Sequence, residues 1–398
     1  MRVHRLTTGC LIAALLCLLS IFPAAAEAAP MPGPNPAWKL SAAPPVSAGG
    51  AVLMDWTTGR ILYGRNAFQP RDPASTTKIL TALIALEKGR LDDKVTVSKR
   101  AAYTPGSSMY IKPGEVYSLH DLLHGLLLRS GNDAAAAIAE HVAGSVENFA
   151  VLMNARSKQL GTTVSRWVNP HGLTAAGHVS SAYDLALIAR EALKNPTFQK
   201  IVSTRETPLK FEYLQRDVVL HNTNRLLSGF PGADGVKTGT TAAAGACLVA
   251  SATREQHKLI AVVLHAGNRW RDSGELLNWG FANFRLATLG AAGEVVVEAP
   301  VRGGRQLAVP LALADQMSSV VPRTGADVPK LELQVESGLT APIKKGQALG
   351  RAHVHEDGKL LGETLLVAAA DVPEATLLDY LMRLLSPLVR WGHEAGAF

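Results

Sequence analysis

Two stretches with the texture of β-hairpins stand at opposite ends of a long run of helical pattern, and that separation limits the fold more than any other feature of the chain. Ala51–Asp55 and Ile61–Tyr63 are apolar runs on either side of Thr57-Thr58-Gly59, a turn whose glycine can take positive φ. Ala246–Ala252 and Leu259–Leu264 flank the polar turn Arg254-Glu255-Gln256 in the same way. Together the two suggest one antiparallel sheet. Between them, Ile79, Leu80, Leu83 and Ile84 follow helical spacing and stop at Gly89. Leu122–Leu128, Ala134–Val142 and Leu185–Leu193 continue the pattern, the last opened by Ser181-Ala-Tyr-Asp184 as a capping box. Strands at both ends with helices inserted predict an α+β domain, placed here at residues 46–288.

The flanks carry different signals. Arg2 and Arg5 precede an apolar run from Leu11 to Phe22 and the small residues Ala24, Ala25 and Ala26. The run is shorter than the ~20 residues of a bilayer span, so residues 1–26 read as a cleaved secretory leader. Cys10 and Cys17 leave with it, which strands Cys247 as a lone thiol and excludes a disulfide framework. The formal charge of +7 falls to +5 without Arg2 and Arg5. No dense basic cluster interleaves with aromatics, so no nucleic-acid partner is expected. Residues 27–45 are rich in Pro and Ala and read as a linker, with order expected from about Ala51. Residues 289–372 are short β-rich runs broken by Gly and Pro, a second all-β domain. In residues 373–398, Leu377, Leu381, Leu384, Leu385, Leu388 and Trp391 share one helical face, a pattern suited to the interface of a membrane surface.

Three short constellations carry chemistry. Ser75-Thr-Thr-Lys78 places a hydroxyl and an amine on one helical face, since i and i+3 are neighbours. The hydroxyl then lies at a positive helix end, and the amine can take its proton only if burial or a nearby cation keeps it neutral. Ser130-Gly131-Asn132 opens the Ala-rich helix; its hydroxyl could relay a proton to a leaving amine and its amide could hold a substrate backbone. Lys237-Thr238-Gly239 enters the hairpin strand Ala246–Ala252; an unpaired strand edge here could pair with an extended peptide, Gly239 allowing close approach and Lys237 supplying a positive charge. Each is weak alone, because capping serines and Gly-rich turns are common. In this order they match the Ser-x-x-Lys, Ser-x-Asn and Lys-Thr-Gly set of the penicillin-interacting serine enzymes.

Together with Asn169-Pro-His-Gly-Leu, Ala182-Tyr-Asp-Leu-Ala and Gly232-Ala-Asp-Gly-Val-Lys-Thr-Gly, they make the chain resemble the D-alanyl-D-alanine carboxypeptidases, the low-molecular-mass penicillin-binding proteins of serine peptidase family S11, from about Ala51 to the end. The resemblance implies a penicillin-binding/β-lactamase-like catalytic domain and removal of the terminal D-alanine from peptidoglycan stem pentapeptides, with β-lactams as covalent inhibitors and no cofactor or metal. It further implies an acyl-enzyme on Ser75, with Lys78 as proton acceptor and Ser130 as relay. Asn132, Lys237, Thr238, Gly239 and Thr240 would bind substrate, and the N–H groups of Ser75 and Thr240 would form the oxyanion site. An arginine on the strand past Lys-Thr-Gly would help bind the terminal carboxylate; Arg269 is the matching position and Arg271 the second choice. Thr240 stands where the family often has an aromatic residue or histidine.

Other readings fare less well. A β-lactamase would carry a Glu-x-x-x-Asn loop between Ser130 and Lys237, and none is evident. A transpeptidase or endopeptidase, or an envelope binding protein that has lost turnover, stays as the alternative. His353 and His355 alternate along one strand face but lack a partner motif for a metal. His171 reads as structural and Cys247 as a buried strand residue.

Overall fold

Strand β1 (Gly50–Asp55) turns at Gly59, φ 75°, into β2 (Ile61–Arg65). A helical lobe follows: α1 (Lys78–Lys88), β3 (Lys94–Thr96), α2 (Lys99–Ala102), β4 (Val116–Ser118), α3 (Leu119–Leu127), α4 (Asn132–Ala143), α5 (Val146–Gln159), α6 (Ala182–Ala192) and α7 (Pro196–Ser203). The chain returns through β5 (Glu206–Phe211), β6 (Arg216–His221) and α8 (Leu226–Gly229). It then forms β7 (Ala233–Thr241), β8 (Gly245–Arg254), β9 (His257–Ala266) and α9 (Arg269–Asn283). This computed structural model describes residues 38–211, 216–325, 328–356 and 358–383. The expected leader and the start of the linker lie outside the described residues.

The two hairpins do join. The sheet runs β2-β1-β9-β8-β7, antiparallel throughout, with Leu53 opposite Ala261 and Val249 opposite Val262. Its central strands are apolar on both faces because two cores cover them. Val52 and Met54 of β1 and Ile260, Val262 and Leu264 of β9 face the helical lobe, whereas Leu53, Leu259, Ala261 and Val263 pack under α9. Burial on both faces explains why these strands read as continuous apolar runs instead of alternating ones. The turn of the second hairpin is tight, with Glu255 and Gln256 both at positive φ.

A second all-β unit follows: β10 (Phe284–Gly290), β11 (Val295–Pro300), β12 (Ala308–Leu313), β13 (Met317–Pro322), β14 (Leu331–Val335), β15 (Ala348–Glu356) and β16 (Lys359–Ala368). Five of these make a sheet in the order β11-β12-β16-β15-β14, and β10 pairs with β13. Arg60, in the turn of the first hairpin, reaches Glu356 of β15 at 2.5 Å, a largely buried ion pair between the two units.

The linker expectation needs correcting from Trp38 onward. Trp38 packs on Phe284 with ring centroids 5.9 Å apart and lies under the Arg60 guanidinium. Ser41 N–H donates to Asn283 Oδ1 at 2.8 Å, and Val46 and Ala48 are buried. Burying an indole and two aliphatic side chains is enough to dock a segment whose Pro and Ala content gives no periodic signal. At the other end, residues 377–383 are helical. Thr376 caps that turn, its hydroxyl donating to Asp379 Oδ2 at 2.7 Å and accepting from Asp379 N. The remainder of the expected terminal helix, residues 384–398, lies outside the described residues.

Candidate active site

Pro73 ends the approach to α1, and Ala74 adopts φ 48°. A 3-10 turn, Ala74–Thr77, then carries Ser75 directly onto the helix. The hydroxyls of Thr76 and Thr77 donate back to Pro73 O and Ala74 O at 2.6 and 2.8 Å, which locks the turn without using Ser75. Thr77 Oγ1 is also 3.0 Å from His178 Nε2, while Val168 N–H donates to Nδ1 of the same ring. His178 is therefore the Nε2–H tautomer, donating to Thr77. Burial, helped by the nearby Lys78 charge, lowers its pKa to about 4.

Lys78 lies one helical turn from Ser75 and is completely buried. Its Nζ sits 3.0 Å from Ser75 Oγ, 2.6 Å from Asn132 Oδ1 and 2.7 Å from the His171 carbonyl oxygen. The Asn132 amide is oriented by its own Nδ2, which donates to Pro105 O at 2.6 Å. A neutral amine has two hydrogens, and the two carbonyl oxygens can only accept. In that neutral form they take both, which leaves the lone pair facing the Ser75 hydroxyl. Desolvation, then the like charge of Lys237, holds the Lys78 pKa well below the ordinary lysine range, with Asp133 opposing.

Ser130 precedes α4 at φ 64°, and its buried Oγ has no hydrogen-bond partner among the described residues. Buried hydroxyls are normally satisfied, so this one is free for a group entering the cleft. Strand β7 forms the opposite wall and is the sheet's edge. A Cβ at Gly239 would stand 2.9 Å from Ser75 N, so only glycine lets the edge lie against the Ser75 turn. Lys237 is buried, with Nζ 3.2 Å from Thr238 O; desolvation and Arg269 lower its pKa to about 7. Thr238 Oγ1 meets Thr223 Oγ1 at 2.7 Å.

Arg269 does reach the site, but not from a strand as expected. It is the first residue of α9, and its guanidinium folds back to donate to Gly239 O at 2.7 Å, Cys247 O at 3.0 Å and Thr240 Oγ1 at 2.8 Å. Asn268 caps that helix by accepting from Arg271 N, so the strand β9 must end before it. Arg271 turns outward and pairs with Glu275 at 2.8 Å.

Between the Ser130 and β7 walls lies a cleft of about 480 Å³, lined by Ser75, Ser130, Thr238, Gly239, Thr240 and Arg269, among others. Four contributors escaped the sequence reading. Asp133 is fully buried, and its carboxylate accepts from Met109 N, Tyr110 N and Ala134 N, each at 2.9 Å, and from Ser108 Oγ at 2.6 Å. It pins the loop that carries Pro105. An acidic residue inside an Ala-rich buried helix was its visible signal. His171 acts through its backbone carbonyl, which no side-chain pattern could reveal; its ring, buried beside Lys78, has a pKa lowered to about 3. Arg129 and Arg225 also line the cleft. Away from the site, His353 and His355 stand near Glu363 and Glu332, at 3.7 and 2.9 Å. Among the described residues, no three His, Cys, Asp or Glu side chains gather as a metal would need. Cys247 is buried in β8, and burial raises its pKa.

Comparison with known proteins gives consistent matches. The family model for D-alanyl-D-alanine carboxypeptidase matches residues 38–268, and the model for the C-terminal domain of penicillin-binding protein 5 matches residues 284–374. The chain is 38% identical over 343 residues to D-alanyl-D-alanine carboxypeptidase DacF of Bacillus subtilis, covering 84% of this chain and 88% of that one. Against DacC of Escherichia coli K12 it is 38% identical over 348 residues, covering 83% and 86%. Penicillin-binding protein 5 from Haemophilus influenzae, a solved structure, superposes with a TM-score of 0.70 at 33% identity. That match covers 84% of this chain and 100% of the other.

Proposed function

This chain belongs to the D-alanyl-D-alanine carboxypeptidase family, and from that premise we propose that Ser75 is the nucleophile with which it removes D-alanine from stem peptides. The protein is a serine D-Ala-D-Ala carboxypeptidase and a penicillin-binding protein acting on peptidoglycan peptides. The observation that carries the residue assignment is the three-way contact of the Lys78 amine, which in the neutral form would aim a lone pair at Ser75 Oγ.

The reaction follows from that arrangement. Lys78 takes the Ser75 proton as Oγ bonds to the carbonyl carbon of the penultimate D-alanine, and the oxyanion meets the N–H groups of Ser75 and Thr240. Ser130 passes a proton to the leaving nitrogen as the peptide bond breaks, releasing D-alanine and leaving an ester on Ser75. Water then hydrolyses the ester. The substrate backbone pairs with the β7 edge and Asn132, while Lys237, Thr238 and Arg269 hold its terminal carboxylate. A β-lactam forms the same ester by opening its ring.

Residues 46–288 are the catalytic domain in this reading and 289–372 a separate β-domain. Secretion by the leader places the enzyme on the outer face of the cytoplasmic membrane. The terminal segment 373–398 holds it there; Leu377, Leu378 and Met382 are 77%, 67% and 61% exposed, apolar side chains that a lipid surface would cover. Deleting residues 374–398 should abolish flotation with vesicles, and continued flotation would remove the anchor.

The test of the chemistry is incubation of the protein with a stem pentapeptide ending in D-Ala-D-Ala, following free D-alanine. One D-alanine per peptide is expected, with none from Ser75→Ala. Penicillin labelling that persists in Ser75→Ala would overturn the assignment. A stable adduct without D-alanine release would point to a transpeptidase that needs an amine acceptor.

A further inference from the structure

The cleft is more cationic than a single terminal carboxylate requires. Besides Arg269 it is lined by Arg129 and Arg225, and among the described residues no acidic side chain lines it. Neither Arg129 nor Arg225 has a carboxylate within ion-pair distance among the described residues, in contrast to Arg271, which Glu275 neutralises. Arg225 and Arg269 share one indole: their guanidinium carbons lie 6.0 and 5.4 Å from the centre of the Trp270 ring. Arg225 also acts on Arg269 as an unneutralised like charge, one of the causes that lower its pKa. Packing uncompensated cations around an open cleft costs electrostatic energy that a bound anion would recover.

The placement is as informative as the charge. The cleft is bounded by Ser130 and Thr238 and not by Asn132 or the His171 carbonyl. Taking the reading above, in which Ser130 serves the leaving amine and Arg269 the terminal carboxylate, it is the leaving-group side that these arginines surround. At about 480 Å³ it lies in the ~300–1,000 Å³ range that encloses a drug-sized ligand, far more than the methyl group of D-alanine fills.

We propose that Arg225 and Arg129 form a second anion subsite at the leaving-group end, so that the enzyme also releases D-amino acids that carry a carboxylate on the side chain. The terminal carboxylate stays with Arg269, and the side-chain carboxylate meets Arg225 across the Trp270 face or Arg129 beside Ser130. No new bond chemistry is involved, since the scissile bond, the proton path through Ser130 and the ester on Ser75 are unchanged.

A pair of substrates differing only in charge tests this. Acyl-D-Ala-D-Glu and acyl-D-Ala-D-Gln are compared by release of the free D-amino acid, alongside acyl-D-Ala-D-Ala. The expected preference for D-Glu in kcat/KM is about tenfold, the size of one charge-assisted hydrogen bond. It should shrink with added salt and fall to near unity in Arg225→Gln combined with Arg129→Gln, while Arg225→Lys keeps part of it. The ratio is read within each protein, so a general loss of activity does not enter it. Wild-type enzyme that handles D-Glu no better than D-Gln overturns the subsite, whatever the variants do. Absence of D-alanine release from acyl-D-Ala-D-Ala would overturn the carboxypeptidase reading instead.

Discussion

Gly172 offers the sharpest test of how the Ser75 turn is held. It lies in the Asn169-Pro-His-Gly-Leu loop, whose His171 carbonyl contacts Lys78, and it sits at φ 87°. A methyl group built there would stand 1.9 Å from Ala74 O, 2.4 Å from Ala74 C and 2.9 Å from Thr77 Oγ1. Real Cβ contacts essentially never fall under 3.0 Å, so Gly172→Ala must open the gap by at least 1.1 Å, the difference between 1.9 and 3.0 Å. The obstacle is backbone one residue before Ser75, not the end of a flexible side chain. Overpacking of about 1–3 kcal/mol adds to about 1–2 kcal/mol for alanine in the left-handed region, a loss of about 2–5 kcal/mol. A displacement near 1 Å at the reacting group costs roughly 100-fold in rate. Acylation by a fluorescent penicillin reads the second quantity and thermal unfolding the first. A Gly172→Ala protein that acylates within threefold of wild type and unfolds at the same temperature would refute the packing of this loop on the Ser75 turn.

Replacing Lys237 by Met removes a cation that lowers the Lys78 pKa. Lys78 then stays protonated to higher pH, so the acid limb of the acylation profile should move up; a downward shift would sink the base assignment. Asp133→Asn sets an amide N–H against backbone donors that the carboxylate now satisfies. Denaturant titration should record a loss of about 3 kcal/mol, the order of a hydrogen bond to a buried charge with its donor left unpaired, and an unchanged midpoint would count against that role. Finally, His178 has a folded pKa of about 4 against roughly 6.5 in the unfolded chain, so the unfolded state takes up the proton first as pH falls. Stability should drop between pH 6.5 and 4 by about 3 kcal/mol from this group. His178→Gln should flatten that slope in a series of melts, and an unaltered slope would place the proton uptake elsewhere.

The three short motifs were legible because each is local. Ser75 and Lys78 are one helical turn apart, so their contact follows from i,i+3 geometry alone. Ser130-Gly131-Asn132 marks a helix start and the structure puts it there, whereas Lys237-Thr238-Gly239, read as the entry to the strand Ala246–Ala252, lies inside a strand of its own, β7, which pairs with β8. Both hairpins and the α+β order were readable for the same reason, since the period of a strand or a helix is written in neighbouring residues. Arg269 was readable as a residue but not as an element: the capping Asn268 starts a helix where a strand was expected. The docked segment from Trp38 was not readable at all, because its partners, Phe284 and Asn283, are remote in sequence.

What only the tertiary structure decided is the state of the groups the sequence named. Residue types and spacing determined that a serine, two lysines and an amide would be available, and suggested that two apolar hairpins share a sheet. The lowered pKa of Lys78 depends on burial and on Lys237, and the placement of its amine on Asn132 and a His171 carbonyl drawn in from 54 and 93 positions away. The cationic cleft likewise depends on Arg129, Arg225 and Arg269 converging from three separate elements. Desolvation and Coulomb interactions act through space and fall off over a few ångströms. A linear pattern can list the charges, but only the packed chain sets the distances and the burial that give them their chemistry.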